Sequence, residues 1–150
     1  MKIKNVLLAA SASLFLFGFS HTSINSNQKS TTAIMKGNEE KEILKTLELY
    51  AEGARQHNSA MTAQAFAPEA TMSWSDNGHL KSVGIKELYD IIDKKGPFKV
   101  TYEVTSIDIA GSVALVRIES QFNENRYTDM FSMVKDGSSW KILSKVYLLK

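Results

Sequence analysis

Along the last third of the chain, apolar and polar side chains alternate with a period of two, the pattern of strands that turn one face to a core or cavity. Phe98 to Ile109, Ser112 to Phe122, Arg126 to Val134 and Ser139 to Leu149 read as four long strands. Short turns at Ala110-Gly111, Asn123-Glu124-Asn125 and Asp136-Gly137 separate them, which makes an antiparallel meander. Within the first strand the apolar phase slips from even positions (Val100, Tyr102, Val104) to odd ones (Ile107, Ile109). A β-bulge near Thr105-Ser106 would restore one inward face and bend the sheet sharply. Upstream the period becomes helical. Ile43, Leu44, Leu47, Ala51 and Ala54 predict a helix over Glu39–Gln56, with Asn38 as its N-cap and Glu39 and Glu40 at the positive end of its dipole. Gly53 inside it costs about 1 kcal/mol relative to alanine, which points to a close packing contact. A second, short helix over Ser59–Phe66 is stopped by Pro68. Thr71–Ser75 is strand-like and runs into the turn Asp76-Asn77-Gly78, and a third helix, Ile85–Asp93, is closed by Gly96-Pro97. Helices first and a strongly curved sheet second predict an α+β domain in which the helices cover the concave side.

Two inward faces are each interrupted by one polar side chain. The odd positions Tyr127, Asp129, Phe131, Met133 form one face, and the even positions Trp140, Ile142, Ser144, Val146, Leu148 form the other. A two-residue Asp136-Gly137 loop places Asp129 across from Ser144, whereas a four-residue loop, Asp136 to Ser139, places it across from Val146. Either register leaves a carboxylate on an apolar face, where it is costly unless hydrogen-bonded, paired or wetted by a pocket. Asp129 is therefore the leading site candidate, as a ligand anchor or as a general base whose pKa an apolar setting raises toward neutrality. The plainer alternative is a carboxylate hydrogen-bonded to Ser144, Tyr127 or a neighbouring strand that holds the sheet in register. Trp74, Tyr102 and Tyr127 are the aromatic candidates for ligand contact, because they precede polar turns or share faces with polar residues. Arg117 and Glu119 share the odd face of the second long strand and read as a charge pair on an exposed face.

The remaining composition excludes more than it proposes. Lys2 and Lys4 precede an uncharged apolar run, Val6 to Phe19, with small residues at Gly18 and Ser20, so residues 1–20 read as a secretory signal peptide. The run is shorter than the roughly 20 apolar residues a spanning helix needs. Loss of that leader removes two lysines from eighteen basic residues and leaves sixteen against sixteen acids, a net charge of zero. No basic stripe then remains for nucleic acid or an anionic membrane. Residues 21–38, rich in Ser, Thr and Asn, read as a flexible tether, and residues 39–150 as one folded domain. The chain has no cysteine, which excludes disulfides, thiol catalysis and thiolate metal sites. Export without disulfides suits a bacterial periplasm or the extracellular space. His21, His57 and His79 lack a second ligand at metal spacing, and no phosphate loop, nucleophile elbow or triad pattern is present, so no metal or cofactor is expected.

Tyr50-Ala51-Glu52-Gly53, Phe66-Ala67-Pro68-Glu69-Ala70, Thr128-Asp129-Met130-Phe131-Ser132, and Asp136-Gly137 with Trp140-Lys141-Ile142 and Lys145-Val146 occur in the order and spacing of a known group. The chain resembles the nuclear-transport-factor-2-like superfamily over about Glu39 to Leu148, and within it the SnoaL-like branch labelled "putative lumazine-binding". The resemblance implies a cone-shaped α+β fold, a bent sheet around helices with a pocket at the open end, and frequent dimerisation through the sheet. It implies no single function, because the superfamily includes isomerases, dehydratases, cyclases and silent binding domains. The chain departs from the family pattern at Ala67, where a histidine often precedes the proline, and at Ser144, where asparagine is common. Both changes remove polar groups that could assist chemistry.

The expectation is a secreted, non-catalytic domain whose apolar pocket binds a small apolar or aromatic molecule, with Trp74, Tyr102, Tyr127, Asp129 and Ser144 around it. A cofactor-free isomerase, dehydratase or cyclase with Asp129 as base is the first alternative, with Tyr102 or Tyr127 steadying an oxyanion. A homodimeric interaction module with a filled cone is the second. An open cavity with Asp129 in it separates the pocket readings from the module.

Overall fold

How the first two helices lock together is clearest at Gly53. In the computed structural model, which describes residues 26–150, with side chains from Ile34 onward, a Cβ placed on Gly53 would lie 2.3 Å from the Thr62 hydroxyl and 2.5 Å from the Thr62 backbone nitrogen. The expected close contact is therefore made by helix α1 (Ser26–Arg55) against the short helix α2 (Ser59–Ala63), whose fully buried Thr62 bonds the Tyr50 carbonyl at 3.3 Å. Asn58 caps α2 through its side chain, which accepts from the Met61 amide at 3.0 Å.

Strands β1 (Phe66–Asp76) and β2 (His79–Gly84) follow, then helix α3 (Lys86–Lys95), then β3 (Val100–Ala110), β4 (Val113–Phe122), β5 (Asn125–Asp136) and β6 (Ser139–Leu149). They form one six-stranded sheet in the order β2-β1-β6-β5-β4-β3. Every pairing is antiparallel except β1 with β6. Irregularities bend the sheet at three places: at Thr105 on β3, where the sequence predicts it, between Phe66 and Thr71 on β1, and between Ile142 and Ser144 on β6. The concave face packs on α1 through Ile43, Leu47, Tyr50, Ala51 and Ala54, all 2% exposed or less. Against them lie Phe131, Met133, Trp140 and Ile142, and each such burial contributes roughly 1.5–3 kcal/mol. Helices on the hollow side of a curled sheet make the predicted α+β cone.

Several boundaries differ from the sequence reading. Helix α1 reaches back to Ser26, so Asn38 lies inside it and does not cap it, because adding a turn to a docked helix is far easier than nucleating one. Glu39 instead accepts from the Trp140 indole at 2.9 Å and contacts Lys135, which holds its carboxyl below the usual range and ties α1 to the β5–β6 hairpin. Leu44 faces outward, and Tyr50 takes its expected place in the core. Ser59–Phe66 is helical only to Ala63, and β1 already begins at Phe66. Pro68 is tolerated there because β2 pairs only from Thr71 onward and the β6 ladder skips the residues between Phe66 and Thr71. Strand β2 has no alternating apolar signal; the Asn77-Gly78 turn, with φ of 50° and 80°, folds it back onto β1. The expected leader at residues 1–20 lies outside the described residues.

Gly53→Ala should destabilise the domain by about 1–3 kcal/mol despite the better helix propensity of alanine, because Thr62 backbone has to move. Gly37→Ala, with nothing within 4 Å of the added carbon, should be neutral or stabilising. Urea unfolding of both variants checks the contrast, and equal effects would refute the close contact.

Candidate functional site

Asp129 is fully buried on the concave face of β5, and its setting is decided on β6. The hairpin loop is Gly137-Ser138, with Asp136 opposite Ser139 and Gly137 at φ 60°. Near the loop the inward residues of β6 are Trp140 and Ile142. One residue, Leu143, then bulges out, and beyond it the inward residues are Lys145 and Tyr147. Asp129 thus faces Tyr147, and both expected registers, opposite Ser144 or opposite Val146, are corrected. The cause is the bulge, which shifts the side-chain parity by one. Ser144 points to the convex face, where it shares a 3.0 Å hydrogen bond with Ser132, and Val146 and Leu148 go with it.

The bulge gives the carboxylate two partners. From β6, the Lys145 ammonium donates to Asp129 Oδ1. From β4, the Ser120 hydroxyl donates to Oδ2 at 2.5 Å. The lysine side chain is 5% exposed and the aspartate 0%, so this is a buried ion pair. Charge-assisted bonds of this kind are among the stronger ones, but desolvation of both ions offsets much of the gain.

Lys145 also lines a cavity of about 110 Å³ between the sheet and α3. Its apolar walls include Met72, Leu88, Ile92, Phe98 and Phe122, and its polar edges are Tyr50, Tyr127, Tyr147 and Lys145. The Lys145 nitrogen sits 4.4 Å from the centre of the Tyr147 ring and 5.7 Å from that of Tyr127, within cation–π range. Burial lowers the pKa of this amine, against the opposing pull of Asp129. Burial raises the pKa of Tyr50 well above the ordinary phenol value, with the charge of Asp129 adding to it, and raises those of Tyr127 and Tyr147 in the same way. All three phenols therefore keep their protons. Asp129 itself stands behind Lys145 and is not part of the cavity wall.

Of the other sequence candidates, Tyr127 is on the cavity edge. Trp74 stacks on Tyr147 with ring centres 5.5 Å apart, backing the wall from behind. Tyr102 donates its hydroxyl to Glu48 at 2.8 Å, and burial together with that bond pushes its pKa to about 12. Arg55 holds the same Glu48 at 2.6 Å and bonds the Val100 carbonyl at 3.0 Å, so Tyr102 belongs to a brace between α1 and β3. Arg117 and Glu119 form a 3.0 Å pair on the exposed face. Lys150, then Thr128 and Arg117, hold the Glu119 carboxyl down at about 2. Glu119 and Lys150 border a wider groove of about 540 Å³ at the ends of β3, β4 and β5, which Tyr102 and Tyr127 also line, but the two charges already neutralise each other in water there. The residues that sequence reasoning did not propose are Lys145, Tyr147 and Ser120. The available signal was charge balance: a buried carboxylate calls for a buried cation, and Lys145 is the lysine nearest the middle of β6.

The fold and this buried pair frame the comparisons with known proteins. The family described as "Putative lumazine-binding" matches residues 38–148. The chain belongs to that family, within the nuclear-transport-factor-2-like (NTF2-like) superfamily. An NTF2-like protein of unknown function from Shewanella baltica OS155 superposes with a TM-score of 0.69 at 30% identity, over 75% of this chain and 94% of that one. A second, from Methylobacillus flagellatus KT, gives 0.67 at 31% identity, over 73% of this chain and 90% of that one. A ketosteroid isomerase-like protein from Erwinia carotovora atroseptica shares the fold with a TM-score of 0.55 at 15% identity, over 70% of this chain and 91% of that one. Among curated proteins no sequence matches the chain.

In this NTF2-like domain the two ions should prove strongly coupled. Asp129→Asn leaves a buried ammonium without its counter-charge and should lower unfolding free energy by about 3–5 kcal/mol, and Lys145→Met should do much the same. The double variant is expected to recover most of the loss, which a denaturation double-mutant cycle reads directly. Simple addition of the two losses would show that the pair is not an energetic unit.

Proposed function

We propose that this domain is an exported, non-catalytic receptor for a small, neutral, largely aromatic molecule that places a carbonyl or similar acceptor against Lys145. The observation that carries this reading is the Lys145 ammonium, buried at the edge of an apolar and aromatic cavity with its charge already balanced by Asp129. An ammonium has three donors. Among the described residues Asp129 takes one of them, which leaves the others directed at the rings and the cavity. Because the pair is neutral overall, an anionic ligand would bring an unbalanced charge into a dry site, and a cation would face Lys145 itself. A neutral acceptor satisfies the donors with neither penalty. Asp129 as a direct catalytic base fits less well, since its two oxygens are engaged by Ser120 and Lys145 and it lies behind the cavity wall.

Binding to the folded state alone raises stability, by about 2.7 kcal/mol at a ligand concentration of ~100 times the dissociation constant. Benzamide and acetophenone should therefore raise the melting temperature more than benzoate or benzylamine do. A preference for either charged probe, or no response to any, would overturn the proposal.

The convex face supports a homodimer as the working assembly. Leu115, Met130, Val146 and Leu148, between 46% and 62% exposed, lie on three adjacent strands, with Met130 directly across from Val146. An apolar patch of this kind in the middle of a sheet is suited to an isologous contact with a second copy. Met130→Glu should shift sedimentation equilibrium from dimer to monomer with an unchanged circular dichroism spectrum. A wild-type chain that sediments as a monomer would remove this reading.

A further inference from the structure

Resting on the same cavity, we propose that Lys145 captures an aldehyde or ketone covalently, as a protonated Schiff base paired with Asp129. Three features of the geometry point to this. The amine lines an apolar cavity and has N–H groups unused by the described protein residues. Its single carboxylate partner is shielded from water, with 0% exposure, and is fixed by Ser120 at 2.5 Å. The surrounding rings of Tyr127 and Tyr147 stabilise a cation at the nitrogen whether it is an ammonium or an iminium.

The step balances without any outside acid, base or oxidant. Lys145 passes one proton along its existing hydrogen bond to Asp129 Oδ1 and becomes a neutral amine, a state favoured by its burial. Its lone pair forms a bond to the carbonyl carbon while the C=O π pair moves to oxygen. A proton shifts from nitrogen to that oxygen and gives the carbinolamine. Asp129 returns its proton to the Lys145 nitrogen, which passes one on to the hydroxyl; the C–O bond then breaks with its pair, water leaves, and the nitrogen lone pair closes the C=N bond. The start is an ammonium, a carboxylate and a carbonyl; the end is an iminium, a carboxylate and one water. The charge of the site is the same before and after, so the apolar walls oppose neither state. Exclusion of bulk water then slows hydrolysis.

The test uses the full chain with benzaldehyde and sodium cyanoborohydride at neutral pH, followed by intact-mass analysis and peptide mapping. The expected result is one benzyl group, at Lys145, with labelling at least about tenfold faster than at an exposed lysine such as Lys81, as for a desolvated nucleophilic amine. Lys145→Arg keeps the charge and removes the nucleophile, and it should abolish the site-specific adduct while retaining a cooperative melt. Labelling confined to surface lysines of the folded wild-type protein would overturn the proposal without recourse to any variant. Benzamide, which binds without forming an imine, separates the two readings. A benzamide melting shift with no Lys145 adduct sinks covalent capture and leaves the receptor standing, whereas loss of both responses sinks both.

Discussion

The buried contact between Asp129 and Lys145 constrains this fold more tightly than any apolar contact does. Side chains on a strand alternate, so a slip of β6 by one residue would turn Lys145 outward and bring Ser144 or Val146 in its place. Asp129 would then be left in the core with only the Ser120 hydroxyl. An uncompensated buried charge costs several kcal/mol, a large part of the net stability of a domain. Apolar packing cannot impose the same choice, because Val146 and Leu148 would pack inward readily. The bulge at Leu143 is thus fixed by charge, and the bend it produces helps to close the cone.

The same contact shapes the cavity. Among the described residues the bonded partner of Lys145 is the aspartate behind it, and its nitrogen lies near two aromatic rings. The positive nitrogen faces the cavity, while the pair as a whole stays neutral. The chain therefore combines a polarising group with dry walls, two properties that oppose each other when the cation stands alone. Tyr50, buried among Phe66, Phe122 and Phe131 at ring separations of 5.7–5.8 Å, carries a hydroxyl to the edge of the same space and keeps its proton.

Much of this was legible in the sequence, and the part that was not has a specific cause. The meander, the Thr105 bulge, the Asn77-Gly78 turn, the close contact at Gly53 and the inward aspartate all follow from local patterns. The β3 bulge could be read because apolar residues change parity there while the other face stays polar. The β6 bulge leaves no such mark. Beyond Leu143 the convex face is itself apolar, so Ser144, Val146 and Leu148 continue the even pattern of Trp140 and Ile142 without a break. Periodicity then carries the even positions into the core beyond Leu143, where the odd positions Lys145 and Tyr147 face inward instead. Tyr102 lines the wider groove and not the cavity beside Lys145, for a related reason. Alternation places it on the inner face, but only the tertiary position of Glu48 on α1 decides where its hydroxyl goes.

That masking leaves only the cover over each face to tell the two apart. Both faces of β5 and β6 are apolar, so neither face is marked as the binding side by polarity, and the distinction rests on what covers each. Helix α1 covers the inner face near the Trp140 end, where Thr46 bonds the Trp140 carbonyl at 3.0 Å and Glu39 bonds its indole. Toward the Tyr147 end α1 contributes Tyr50 to the cavity, and α3 supplies the facing wall with Leu88, Ile91 and Ile92. Only Ile92 of that helix is fully buried, and its start is moored to the sheet by the Ile85 amide on the Ala70 carbonyl at 2.8 Å. Elements with few buried apolar contacts open at the lowest free energy. The strongly braced end of the cone is therefore its closed end, and the α3 side, which shares the cavity with Lys145, is its least firmly buried wall.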